Sequence, residues 1–289
     1  ETVYGLGANA RDDHAVAQIF EAKNRPRFNP LIVHVPTMED ARRLAEFDDR
    51  AEEIANAFWP GPLSIVLPRR ADAGLSFLVS AGLNTIALRL PDSELARKLL
   101  TAAQCPIAAP SANRSGEVSP TTAEHVAQSL PEPGNKGPSL ILDGGPCGVG
   151  LESTVVDLSE PMASLLRPGG ITREDLACHL GTLVVADSDD TAPRSPGMMT
   201  RHYAPATPLR INAKTAKPGE ALLGFGDNAD YAIHNLSPDG NLTEAAANLF
   251  AMLRDLDNGT YAGIAVAPVP KHGLGQAIND RLKRAAEKD

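Results

Sequence analysis

Thr85-Ile86-Ala87-Leu88-Arg89-Leu90 alternates with a period of two. In an extended strand this puts Thr85, Ala87 and Arg89 on one face and Ile86, Leu88 and Leu90 on the other. The aliphatic face belongs against a core. An arginine set between aliphatic neighbours needs a partner, either a buried carboxylate or a ligand. Apolar runs of strand length lie on both sides. Leu31 to Val35 and Leu63 to Leu67 precede this stretch, and Cys105 to Ala109, Ser139 to Leu142, Ser153 to Leu158 and Ser164 to Leu166 follow it. Between them the pattern turns helical. Asp13 to Ala22 presents Val16, Ile19 and Phe20 on one side until Pro26 bars continuation. A charged helix is expected over Met38 to Ala57. Thr121-x-x-Glu124 reads as a capping box and Thr172-x-x-Asp175 as a weaker acidic variant. Strands and helices mix without strict alternation, so this larger domain is expected to be α/β with a twisted, mixed sheet.

The composition changes after Val185. Ala186 to Pro208 carries Asp-Ser-Asp-Asp, several prolines and no hydrophobic period, and reads as a linker. Beyond it the order is β, β, β, α, β, α. Strands are expected near Leu209 to Ile211, Ala221 to Phe225, Tyr231 to Asn235 and Ala262 to Ala267, with helices over Thr243 to Leu256 and Gln276 to Ala286. This is the pattern of a smaller, Rossmann-like open-sheet domain. The expected division is residues 1–187, a linker over 188–206, and 207–289.

At 289 residues the chain is long enough for two cores, and 43% hydrophobic with 22% charged residues is a globular composition. A net charge of −9 and an aromatic share of 4% argue against stable nucleic-acid binding, leaving room only for a local basic pocket. Cys105, Cys147 and Cys178 form no zinc pattern and no disulfide framework, which suits a reducing, cytoplasmic location. No apolar stretch approaches the roughly 20 residues of a membrane span. The chain opens at Glu1-Thr2-Val3-Tyr4-Gly5 without a methionine, the opening expected where upstream residues are missing.

Three polar segments stand beside apolar runs: Lys23-Asn24-Arg25-Pro26 with Asn29, Ser111-Ala112-Asn113, and Ser153-Thr154. They offer cations, hydroxyls and amides, but no nucleophile–base pair and no metal-ligand cluster. Such a set suits phosphates and a small zwitterion. Each also has a plain structural reading. Lys23 and Arg25 complement a helix C-terminus, and Asn29 suits a turn. Ser111 to Gly116 suits either a polar turn or an anion-binding nest. Ser153 and Thr154 open a strand, and His34 sits in an aliphatic one. Arg167-Pro168-Gly169-Gly170 is a strand end with a turn. Gly144 to Gly150 lacks the lysine of a P-loop and reads as a flexible connector. Ser195-Pro196-Gly197-Met198 with Arg201-His202-Tyr203-Ala204-Pro205 is unusual for a tether and suits a packed interdomain loop.

In order, these segments resemble the YrdC-like family of L-threonylcarbamoyladenylate synthases in its long, two-domain form. The resemblance is carried by ETVYGLG (Glu1 to Gly7), AKNRPRFNPLIVH (Ala22 to His34), WPGPLSIVL (Trp59 to Leu67), TIALRLP (Thr85 to Pro91), APSANRSGEVSPT (Ala109 to Thr121), ESTVVDL (Glu152 to Leu158), LLRPGGI (Leu165 to Ile171) and SPGMMTRHYAP (Ser195 to Pro205). Together they span nearly all of the first 205 residues. The part beyond matches by position and α/β pattern alone, and the family's Pro-Thr ahead of Glu1 is absent.

The resemblance implies a reaction: L-threonine and bicarbonate form an N-carboxy-threonine, whose carboxylate attacks the α-phosphorus of ATP and expels pyrophosphate. Other proteins, the tRNA threonylcarbamoyl transferases, then use the threonylcarbamoyl-AMP to modify adenosine in tRNA. By this similarity Lys23 and Arg25 meet the phosphates. Asn29, Thr85, Ser111, Asn113, Ser119 and Arg167 line the ATP side. Thr2, His34, Arg89, the Ala109 backbone and Ser153 hold threonine, with the planar fork of Arg89 on its carboxylate. His202 and Tyr203 fold back toward the nucleotide, making the linker a lid against hydrolysis of the mixed anhydride. Magnesium is expected with the triphosphate, bound through phosphates and water. Two rival readings are an RNA-binding module and a carbamoyl-adenylate enzyme of hydrogenase maturation. For the second, the accompanying zinc-finger and acylphosphatase-like patterns are missing.

Overall fold

The computed structural model describes residues 1–132, 137–186, 194–227, 229 and 231–287. Thr85–Arg89 (β4) lies inside an eight-stranded sheet with Ala8–Asn9 (β1), Ile32–His34 (β2), Leu63–Pro68 (β3), Ile107–Ala108 (β5), Thr154–Asp157 (β6), Ser164–Arg167 (β7) and Val184–Val185 (β8). The strand order is β1-β5-β2-β4-β3-β6-β7-β8. β4 runs parallel to β2 and antiparallel to β3, and β3 runs parallel to β6, so the sheet is mixed. The period-two reading of β4 holds on both faces. Ile86, Leu88 and Leu90 join the main core, whereas Ala87 packs with Ile32, Val66, Val155, Leu166 and Met198 on the opposite face.

The helices of this domain are Asp13–Lys23 (α1), Met38–Leu44 (α2), Asp49–Phe58 (α3), Glu94–Ala103 (α4), Ala123–Ser129 (α5) and Arg173–Leu180 (α6). The Asp12 side chain accepts from the amides of His14 and Ala15 to start α1, and Asn24 at φ 49° closes it. The amides of Asn24 and Arg25 return to Glu21 O and Phe20 O, which turns the chain so that Lys23 and Arg25 face inward.

Four local expectations are corrected. The charged helix over Met38 to Ala57 is two helices, because Ala45 turns extended to bridge Arg69 and Asp48 caps a new start at Ala51 N. The cap of α5 is Thr122, whose hydroxyl accepts from His125 N, while Thr121 N donates to the His125 ring. The reciprocal capping box occurs instead at Thr172 and Asp175. Ser139 to Leu142 forms no strand. Gly144 to Gly150 is irregular yet anchored: the Tyr4 hydroxyl donates to Gly145 O and accepts from Gly144 N, and Cys147 N and Val149 N donate to Thr121 O and Glu1 O.

The second sheet holds Leu209–Arg210 (β9), Glu220–Gly224 (β10), His234–Asn235 (β11) and Gly263–Val266 (β12), in the order β11-β10-β12-β9, with every pairing parallel. Parallel neighbours need crossovers; Leu242–Leu256 (α7) lies in the one from β11 to β12, and Gly275–Ala286 (α8) follows the last strand. The core of this domain extends into the first one and the linker: Val118, Leu151 and the linker's Tyr203 share a cluster with Leu249 and Phe250 of α7. Gly150, at φ 70°, lies so close to α7 that a Cβ there would stand 2.4 Å from Ala247 Cα. The expected boundary at Asp187 and the start of the linker, residues 188–193, lie outside the described residues. Among the described residues no helix is long and apolar enough to cross a membrane.

Candidate active site

Period-two geometry places Ile32, His34, Ala87 and Arg89 on one face, with Ile32 opposite Ala87 and His34 opposite Arg89. A cavity of about 780 Å³ opens there. Thr2, Arg25, His34, Arg89, Ala109, Ser111, Ser153, Arg167, His202 and Tyr203 all line it, as does Glu152. Lys23, Asn29, Asn113 and Ser119 stand one layer behind. Thr85 shares the face of Arg89 but sits at the far end of β4, on the order of 13 Å away at strand rise, and does not line the cavity.

Four buried cations surround the space: Lys23, Arg25, Arg89 and Arg167. Lys23 Nζ donates to Ser111 O at 2.6 Å and Asn113 O at 2.5 Å, so the lysine shapes that loop from beneath. Burial, then the neighbouring Arg25, pushes its pKa well below the ordinary lysine value. Arg25 Nη2 donates to Asn29 Oδ1 at 2.7 Å and Pro30 O at 2.8 Å. Burial and the nearby Arg167 pull Arg25 down to about 9. Arg167 Nη2 donates to Ser153 O at 2.9 Å and its Oγ at 3.1 Å, and Ser153 Oγ also meets Ser64 Oγ at 2.8 Å. Arg89 Nε donates to Gly61 O at 3.0 Å, Nη1 to Thr2 Oγ1 at 2.9 Å, and Nη2 pairs with Glu1.

Several buried polar atoms have no partner among the described residues: His34 Nδ1, His202 Nδ1 and Tyr203 Oη on the cavity lining, and Asn113 Oδ1 and Ser195 Oγ beside lining residues. Orphans of this kind are rare in a core and mark places where a ligand supplies the missing bond. Burial drives the pKa of both His34 and His202 down to about 3, so both rings are neutral near pH 7. The site is therefore locally cationic within an acidic chain, and rich in unspent hydrogen-bonding groups. Ser153 Oγ contacts Arg167 and Ser64 rather than a base. Among the described residues no group of three His, Cys, Asp or Glu side chains forms a metal site. The arrangement can hold and align anions.

Residues 1–169 match a family model described as telomere recombination, and residues 171–287 match one described as threonylcarbamoyl-AMP synthase, C-terminal domain. The chain is 40% identical to the threonylcarbamoyl-AMP synthase of Pyrococcus abyssi, over 99% of this chain and 88% of that protein. It is also 40% identical to the one of Bacillus subtilis, over 99% and 87%. The crystal structure of Pyrococcus abyssi Sua5 complexed with L-threonine matches with a TM-score of 0.87, covering 99% of this chain and 88% of that one. The chain belongs to the threonylcarbamoyl-AMP synthase family. It is thus an enzyme of the nucleotidyl-transfer type that makes threonylcarbamoyl-AMP for tRNA modification.

Sequence reading missed three charged residues at or beside this cavity. Glu1 pairs with Arg89, and Glu152 and Arg281 form a buried pair at 2.8 Å. Burial raises Glu152, but Arg281, Arg167 and the Ser119 hydroxyl outweigh it and hold the carboxyl below its ordinary value. A signal for Arg281 was present. It falls on the stripe of Ile278, Leu282 and Ala285, where an arginine is as conspicuous as Arg89 is on β4.

Proposed function

We propose that the cavity holds L-threonine and ATP side by side and joins them through bicarbonate. Arg89, with Thr2 and neutral His34 beside it, takes the threonine carboxylate. Ser153 and the Ala109 backbone orient the amine. Arg25, Arg167 and the Ser111 loop shaped by Lys23 take the phosphates, with Asn29, Asn113 and Ser119 supporting them from behind and His202 and Tyr203 closing the nucleotide side. Thr85, at the far end of its strand, reaches ATP only through a part of the nucleotide that extends beyond the cavity.

The threonine amine captures bicarbonate with loss of water, giving a carbamate. One carbamate oxygen then attacks the α-phosphorus, the bond to the β-phosphate oxygen breaks, and pyrophosphate leaves with that electron pair. Little covalent help is needed. Alignment and neutralisation by the cations supply the catalysis. Magnesium fits as a companion of the triphosphate, because the nearby Glu152 already has both oxygens engaged, by Ser119 and Arg281. The product passes to tRNA threonylcarbamoyl transferase proteins, and a cytoplasmic location accords with that role.

What supports the two-substrate reading is that Arg89 and Ser111 line one shared hollow. The test is pyrophosphate release from ATP with each amino acid in turn, with and without bicarbonate. Release is expected only with threonine and bicarbonate together. Equal release without either one refutes the reading.

A further inference from the structure

Arg281 belongs to α8 of the second domain, yet it is fully buried against the first. Its Nε donates to Glu152 Oε2 at 2.8 Å, its Nη1 to Asp280 Oδ2 at 2.7 Å, and its guanidinium lies 4.9 Å from the centre of the Tyr203 ring. Ser119 Oγ occupies the other Glu152 oxygen at 2.5 Å. From the same turns of α8, Arg284 donates Nε to Asp280 Oδ1 at 2.9 Å and Nη1 to Met199 O at 2.5 Å, and its carbonyl accepts from His202 N at 3.3 Å. One helix of the second domain thus holds both the acidic wall of the cavity and the segment carrying His202 and Tyr203.

The charge arrangement gives this grip a purpose. Glu152 lines a cavity whose other buried charged residues, Arg25, Arg89 and Arg167, are all cations. An unpinned carboxylate there would pair with Arg167 or Lys23, the other cations that sense it, and oppose an anionic ligand. Arg281 engages it from behind, in a place where removal of one partner leaves a buried charge exposed to the site. The same guanidinium and Phe250, whose ring centre is 5.7 Å from that of Tyr203, flank the Tyr203 ring.

We infer that Arg281 is a positioning residue through which the second domain sets nucleotide affinity, acting on Glu152 and Tyr203 without touching substrate. This rests on the reading of the cavity as the ATP and threonine site. The test combines calorimetric ATP binding to the full chain with KM values for both substrates. Arg281→Met is expected to weaken ATP binding tenfold or more and leave the threonine KM within twofold. Arg281→Lys should recover part of the ATP affinity. A lysine variant no better than methionine assigns the effect to packing alone and overturns the inference. So does a folded Arg281→Met with unchanged ATP affinity, or with equal losses for both substrates. Should Arg281→Met fail to fold, Asp280→Asn decides: a threefold or greater loss in ATP affinity alone is expected, and no loss refutes. Wild-type chain that binds ATP beside unaltered variants overturns this inference alone. Wild-type chain that binds no ATP overturns the proposed function with it.

Discussion

Replacing Tyr203 by phenylalanine should make the protein more stable and bind its nucleotide less well. The Tyr203 side chain is fully buried, and its hydroxyl has no hydrogen-bond partner among the described residues. The ring is held independently of that oxygen, stacked on Phe250 with Arg281 on it and His202 at 4.0 Å. A buried, unsatisfied polar group costs about 1–3 kcal/mol. Removing it while keeping the ring should therefore return at least about 1 kcal/mol, which for a chain of this size raises Tm by roughly 2–4 °C. If the hydroxyl is kept to bond the nucleotide, Tyr203→Phe loses one hydrogen bond in the complex, worth about 0.5–1.5 kcal/mol, or about a 2- to 12-fold weaker Kd. Differential scanning calorimetry with and without saturating ATP reads both effects. The stability advantage of the variant should shrink when ATP is present, because the wild type gains more from the ligand. A lower Tm without ATP, or an unaltered ATP affinity, would refute the idea that this oxygen is reserved for a ligand.

Arg89→Ala should raise the threonine KM by about ten- to a hundredfold, the worth of a charge-assisted hydrogen bond, and leave the ATP KM within about threefold; steady-state kinetics with each substrate varied would show equal effects if the assignment is wrong. Stability should fall as pH drops from 7 to 5. His34 and His202 stay neutral in the fold down to about 3, whereas the unfolded chain takes up protons near the ordinary 6.5. Each contributes a slope of about 1.4 kcal/mol per pH unit, so the loss is on the order of 4 kcal/mol for the pair; urea midpoints that stay level or rise over this range contradict it. Gly150→Ala should cost about 3 kcal/mol, since the residue sits at φ 70° and the added Cβ meets the α7 backbone at 2.4 Å; an urea midpoint equal to that of the wild type would show that the domains separate there at no cost.

How far the chain could be read depended on the range of the force involved. β4 and α1 were legible because alternation and a proline stop are local. The arginine on β4 announced a site for the same reason. The division of Met38 to Ala57 into two helices was not legible, since no glycine or proline marks it. It follows from Ala45 pairing with Arg69 on a distant segment. Ser139 to Leu142 has strand-like residues but no strand to pair with, and backbone groups choose their partners in three dimensions. The cap of α5 moved by one residue because Thr121 is drawn to the His125 ring.

Side-chain type, period and order along the chain were enough to name the α/β class, the two-domain pattern, the family and the cations around the cavity. Each of these is written in neighbours a few residues apart. Which cations face the cavity and which stand behind it, why Thr85 falls away from the others, and how Arg281 meets Glu152 across 129 positions came from packing. Burial turns those side chains into a site, because desolvation makes every charge seek a partner, and that partner is chosen by proximity in space rather than along the chain.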